Sequence, residues 1–231
     1  MKLRTFFVCL VVAAFAVGVF AQDDKGKALK DGQKRVDAAS KVMTEIMRAE
    51  DQAIPRDLLQ KAKAIVVFPG SIKVSFIVGG QGGKGLAIRR VGNGWSAPAF
   101  LDMGGGSVGF QIGGSSTDYI LLIMNDEGLK GLLTDKFEVG GEASVAAGPV
   151  GRTAAASTNV TLDAGILTYS RSKGLFAGVS LKGIVITSDR GVNEPLYQKT
   201  AKEILGNPPV ASSAAPAGLQ KFATTAAVYA K

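Results

Sequence analysis

The sequence predicts an α+β fold: N-terminal helices packed on a curved, glycine-rich, mostly antiparallel β-sheet or small barrel, with a C-terminal helix closing it. Three observations carry that expectation. Apolar residues between Lys25 and Glu50 recur at helical spacing. From Ala64 to Met124, and again from Asn159 to Thr187, short apolar runs rich in β-branched residues alternate with glycine clusters. The connections between those runs are too short for helical crossovers, which favours antiparallel pairing. Glycines inside strands mark bends, bulges or close backbone approach, so the 30 glycines of this 231-residue chain point to a curled sheet rather than a flat one.

The N-terminus reads as a targeting segment. Lys2 and Arg4 precede an apolar run from Phe6 to Phe20 that ends at Val19-Phe20-Ala21, and the charged string QDDKGK follows at once. Residues 1–21 are therefore expected to be removed, with a mature chain beginning near Gln22 and exported to a periplasmic or extracellular space, where it could lie peripherally on a membrane. The single cysteine, Cys9, falls inside the segment, so the mature protein has neither thiol nor disulfide and depends on its core. Residues 22–206 are long enough for one substantial domain. The chain carries 27 basic and 19 acidic residues; without Lys2 and Arg4 the balance is 25 against 19. That is a mildly basic surface suited to anionic partners such as phospholipid headgroups. It lacks the basic density and aromatic platforms of a nucleic-acid binder.

In chain order, Leu29, Val36, Ala39, Val42, Met43, Ile46 and Met47 form one apolar helix stripe, with charged residues of both signs opposite. A break at Ala53-Ile54-Pro55 leads to a second short helix with Leu58, Leu59 and Ala62 inside. Ala64–Phe68 and Ile72–Val78 read as two strands connected by Pro69-Gly70-Ser71. Gly79–Gly85 reads as a tight reversal before the strand Leu86–Val91, and Asn93-Gly94 as a hairpin turn. Trp95–Leu101, Ser107–Ile112 and Asp118–Met124 follow, giving about seven strands by that point. Asn125 or Asp126 can cap a short helix through Leu129 and Leu132. After weakly alternating residues 137–147, the chain reaches the strand Asn159–Tyr169 and then the stretch TYSRSKGLFAGVSLKG, Thr168–Gly183, which alternates with a period of two from Gly174 onward. A last regular helix begins near Asn193 and stops at Gly206. Residues 207–231 read as an Ala/Ser/Pro linker with an exposed tail.

Histidine is absent and cysteine is lost on processing, which removes most nucleophile–base pairs and transition-metal sites. Ser170 and Lys173 form an S-x-x-K string in a strand–turn context without its partner motifs. Lys84 in the glycine-rich stretch lacks the following Ser/Thr and helix of a phosphate loop. Asp102, Asp118, Asp126, Asp163 and Asp189 show no calcium-loop spacing. The expectation is a non-enzymatic protein with no cofactor and no metal. Arg171, Lys173 and Lys182 beside Leu175 and Phe176 have the composition of a membrane-contact loop, cations for headgroups and apolar tips for the interface, against the plainer alternative of a solvated rim beside a core strand.

Several ordered motifs resemble one family. Tyr169–Gly183, together with Ala62–Pro69, the glycine-rich stretch before Leu86, Gly109–Gly114, Leu121–Asn125 and Ala147–Arg152, is similar to the SYLF domain family over roughly Lys30 to Gly206. The resemblance implies phospholipid binding, with phosphoinositides bound by eukaryotic members, through an N-terminal amphipathic helix and a basic surface. In this chain those correspond to Lys27–Arg48, with Lys34, Arg35 and Lys41, and to Arg171, Lys173, Leu175, Phe176 and Lys182. The expected partner is a phospholipid membrane surface; the alternative is an envelope scaffold or protein-interaction module.

Overall fold

A computed structural model describes residues 3–49, 53–75, 78–108, 113–141, 143–151, 164–172, 175–179 and 181–230. Helix α1, Leu3–Arg48, runs unbroken across the expected cleavage point, but residues 23–27 are exposed and its packed part begins at Ala28. From there Val36, Ala39, Val42, Met43 and Ile46 are buried, as their spacing requires. Helix α2, Arg56–Lys61, follows Pro55 and buries Leu58 and Leu59.

One sheet holds the strands β1 (Ala64–Ser75), β2 (Val78–Val91), β3 (Gly94–Trp95), β4 (Ala99–Val108), β5 (Gly113–Ile123), β6 (Lys136–Val139), β7 (Val145–Ala147), β8 (Ile166–Ser172), β9 (Leu175–Gly178) and β10 (Ile184–Ser188). The order is β6-β10-β4-β2-β1-β5-β8-β7, with β3 beside β2 and β9 beside β8. Every pairing but β7–β8 is antiparallel. The path is curled but open-ended, a half-barrel rather than a closed one.

Two expectations along the chain are corrected. Pro69-Gly70 does not connect two strands; it is a bulge inside the single strand β1, where the register shifts against both neighbours. Gly70 adopts a φ of 58°, and its N–H donates to Asp118 Oδ1 at 2.7 Å, so the interruption is bonded rather than ended. Nor is Gly79–Gly85 a reversal. It is strand, paired with β1 on one side and β4 on the other, because a central strand needs backbone partners on both edges and not side chains. Hence β5, not a seventh strand, ends at Ile123. The Asn93-Gly94 signal does form a hairpin, with Val91 opposite Gly94.

The register places Tyr169, Ile120, Val67, Leu86 and Phe100 in one buried row across β8, β5, β1, β2 and β4. Helix α1 lies on that face: a Cβ on Gly32 would stand 2.8 Å from Phe100 Cζ. Helix α3, Asp126–Leu132, is capped by the Asn125 side chain accepting from Gly128 N–H, and it packs on β6, with Gly131 against the Phe137 ring.

The C-terminal region differs most from expectation. Helix α4, Arg190–Tyr197, starts three residues before Asn193, and α5, Ala201–Leu205, is separate, with Thr200 and Glu203 forming a capping box. The residues read as linker and free tail are packed. Ala97 N–H donates to Val210 O at 2.8 Å, Ser96 bridges Ala211, and Leu219 and Phe222 are fully buried. Helix α6, Lys221–Tyr229, lies along α1, where Lys221 Nζ meets Asp37 at 2.5 Å. The polar composition of 207–218 is compatible with two short 3-10 turns, Ser212–Ala214 and Ala217–Leu219, which bring those apolar residues home.

Candidate functional site

Helix α1 divides its residues cleanly between two sides. From Ala28 on, its apolar stripe is buried against the sheet and helices α4 and α6, and every exposed position from Lys30 to Arg48 is Lys, Arg, Gln or Asp. Lys27, Lys34, Lys41 and Arg48 recur every seven residues and Lys30 lies one turn from Lys27, all of them exposed. Seven residues are nearly two helical turns, so Lys27, Lys34, Lys41 and Arg48 form a line with a step of about 10 Å and a length of about 30 Å, opposite the buried stripe, with Lys30 between the first two.

Counting charges makes this helix mixed; the tertiary structure does not. Each acid of its packed part is held by a cation from beside or behind. Asp31 accepts from Arg35 at 2.6 Å, Asp37 from Lys221, and Glu45 from Arg171. Lys27, Lys30, Lys34 and Arg48 form no ion pair among the described residues, and Lys41 approaches Glu45 only to 3.9 Å. From Lys30 to Arg48 the near balance of the sequence thus becomes a cationic ridge with its acids neutralised along the flanks, while Asp23 and Asp24 are exposed beside Lys27.

The other expected site residues take different places. Arg35 is 5% exposed. It lies over the Phe100 ring at 5.8 Å and joins Asp31 to the buried Asp189 at 2.6 Å, so it belongs to the core and not to a headgroup surface. Burial opposes the charge of Asp31, but the Arg35 hydrogen bond and the charges of Arg35, Lys84 and Lys34 outweigh it, and its carboxyl titrates below the ordinary value. Arg171 is likewise committed. It donates to Asp118 at 2.8 Å and to Glu45, stacks 5.3 Å from the Phe176 ring, and ties β8 and β5 to α1. Burial works against its charge, yet those two carboxylates hold its pKa above the usual arginine value. Phe176 is buried, while Leu175 is 68% exposed and Lys182 is exposed. Lys173 lies outside the described residues, as does Asp163. Among the described residues, Arg171, Leu175, Phe176 and Lys182 are therefore not gathered into one outward loop. Lys34 and Lys41 belong together; within the expected helix Lys27–Arg48 the seven-residue spacing adds Lys27 and Arg48 to them, and Lys30 lies one turn from Lys27.

A cleft of about 540 Å³ opens where α1, β2 and α4 meet. Its acids Asp24, Asp31, Asp189 and Glu194 stand against Lys27, Lys84 and Arg190; Lys84 lies 3.6 Å from Asp189 and Arg190 3.9 Å from Glu194, so the cleft is mixed in charge. Asp118 and Asp126 are occupied by Arg171 and Lys63, and among the described residues no three carboxylates converge.

These features define a curled-sheet domain braced by a long helix that turns its apolar side inward and a line of cations outward. Comparisons agree on its family. The family model described as "Ysc84: Las17-binding protein actin regulator" matches residues 104–227. "LAS seventeen-binding protein 3" of Saccharomyces cerevisiae is 34% identical over 190 residues, 78% of this chain and 40% of that protein. "SH3 domain-containing YSC84-like protein 1" of Homo sapiens is 32% identical over 173 residues, 73% of this chain and 50% of that protein. The "SH3 domain-containing protein PJ696.02" of Schizosaccharomyces pombe is 38% identical over 160 residues, 67% and 37% respectively. The chain belongs to the SYLF, or Ysc84, family, and spans about half the length or less of these relatives.

Proposed function

We propose that this protein is a non-enzymatic, exported binder of anionic phospholipid surfaces, with the ridge Lys27, Lys30, Lys34, Lys41 and Arg48 as its contact. The observation that carries the reading is the neutralisation of Asp31, Asp37 and Glu45 by Arg35, Lys221 and Arg171, which leaves the ridge cations facing solvent. A basic residue close to an anionic membrane contributes about 1 kcal/mol, so four or five together give a useful attraction at physiological ionic strength. The non-enzymatic part rests on chemistry. The sequence has no histidine, and its cysteine lies in the expected leader. The phenols of Tyr169 and Tyr197 are pushed well above the usual tyrosine value by burial, and so remain protonated rather than basic.

The test is cosedimentation of the purified protein with neutral and with anionic vesicles at two salt concentrations. Binding to the anionic vesicles alone, weakened by salt, is expected; indifference to both at low salt would sink the reading. Export is checked separately by N-terminal sequencing of the protein from the producing cell's envelope or medium, expected to begin near Gln22 rather than Met1.

A second reading, a protein-binding module, is favoured by the relatives' printed descriptions as Las17-binding and actin-regulating proteins. Copurification of one stoichiometric protein partner, undisturbed by added lipid, would support it.

A further inference from the structure

We propose that Asp102 works an acid-sensitive clasp: by taking up a proton it releases Lys84 to Asp189 and tightens the hold of α1 and α4 on the sheet. The device is separate from the membrane reading and does not depend on it. Five charged side chains meet where α1, β2, β4 and α4 come together. Asp31 and Arg35 come from α1, Lys84 from β2, Asp102 from β4, and Asp189 from the position just before α4. Arg35 bridges Asp31 and Asp189, at 2.6 Å each, and so ties α1 to α4. Three acids thus share two bases, and one carboxylate is left over.

The group left over is Asp102. Lys84 lies directly opposite it in the β2–β4 register, and both follow the alternation of Leu86 and Phe100 onto the α1 face. Yet the Lys84 ammonium turns to Asp189, at 3.6 Å, and Asp102 Oδ1 is buried with no hydrogen-bond partner among the described residues. The other nearby charges do not fill the gap. Lys136 of β6 stands two strands away, across Thr187 of β10, about 10 Å off. To the same side β1 brings only Pro69, Gly70 and Ile72. Asp24, Lys27, Arg190 and Glu194 line the cleft beyond Asp189.

An ionised Asp102 therefore competes with Asp189 for one lysine, and like charge sets it against Asp189 and Asp31. Burial raises its pKa, as do Asp189 and Asp31, against the pull of Lys84 and Arg35. A raised folded value means that the stabilisation is fully present below the unfolded value and is lost as pH rises through the folded one. The clasp thus closes as pH falls toward the ordinary aspartate value. Asp31, which titrates below that value, keeps its charge there.

The experiment follows the first turn of α4 in the purified protein by amide hydrogen exchange at pH 7 and at about pH 4.5, while carbon-13 NMR titrates the Asp102 carboxyl. Val192 and Asn193 N–H both donate to Asp189 O, at 3.3 and 3.0 Å, so their protection factors report the clasp. In the parent, protection should rise by about threefold or more at the lower pH. Asp102→Asn should hold the higher protection at both pH values. Lys84→Gln should lose most of the rise and stay near the lower level, because the lysine that the proton sets free is gone. That side chain is 63% exposed, so the variant should fold, with a circular dichroism spectrum matching the parent. An undiminished pH response in either variant would overturn the clasp. So would an Asp102 titration at or below the ordinary aspartate value, or protection that does not change with pH in the parent.

Discussion

Asn193 shows how one polar side chain can hold two elements together. It is fully buried at the start of α4, where its Oδ1 accepts from Phe100 N–H at 2.8 Å and its Nδ2 donates to Phe100 O at 2.7 Å, copying a strand's pairing with β4. Asn193→Ala strands the Phe100 N–H, while Phe100 O keeps the Asp189 N–H at 3.0 Å, and an expected loss of about 1–3 kcal/mol would show as a lower urea midpoint with unchanged slope. Arg35 has the same structural weight, since removing it takes from the nearly enclosed Asp189 its 2.6 Å partner and leaves only Lys84, at 3.6 Å. Asp102 behaves oppositely. Burial pushes its carboxyl up and Asp189 adds to this, against Lys84 and Arg35. A carboxyl with a raised folded pKa contributes stability below its unfolded value and loses it as pH rises through the folded one. Asp102→Asn is therefore expected to be more stable than the parent at neutral pH, with the advantage vanishing below about pH 4, as denaturation at both pH values would show.

At the scale of elements, the glycine-rich strands are not uniform. A Cβ on Gly178 would overlap the Gly148 carbonyl, and one on Gly148 would enter the Tyr169 ring; these two glycines let β9 and the chain after β7 close over β8. Gly80 and Gly106, on β2 and β4, have open space where a Cβ would go. Gly178→Ala should lower the melting temperature sharply, whereas Gly80→Ala and Gly106→Ala should shift it little, a contrast that thermal unfolding of the three variants would display. Composition alone made these positions look alike. The same limit applies to Pro69-Gly70, which carries the local signal of a turn yet is a bulge, because the Asp118 carboxylate on β5 satisfies the Gly70 N–H. The two N-terminal helices, the Asn125 cap and the hairpin at Asn93-Gly94 were legible because each depends on neighbours within one or two turns.

For the whole molecule, the C-terminal residues complete the helical layer. Deleting residues 207–231 would uncover the α1 surface under Leu219 and Phe222, so the shortened protein should be insoluble or show no cooperative unfolding. Phe222→Ala alone should cost about 3–5 kcal/mol, measurable by chemical denaturation. The sequence by itself determined the α+β class, the buried stripe of α1, the family and the absence of histidine chemistry, since periodicity and ordered motifs are local properties. Only the tertiary structure decided which charges are free. Lys34 and Arg35 are neighbours in the chain, but one faces water and the other closes an ion pair with Asp189, 154 residues away. Glu45 and Asp37 count as acids in any local tally, yet they are neutralised by Arg171 and Lys221 from distant parts of the chain. Coulomb attraction depends on distance through space, so the ridge appears only once the fold has brought those partners in.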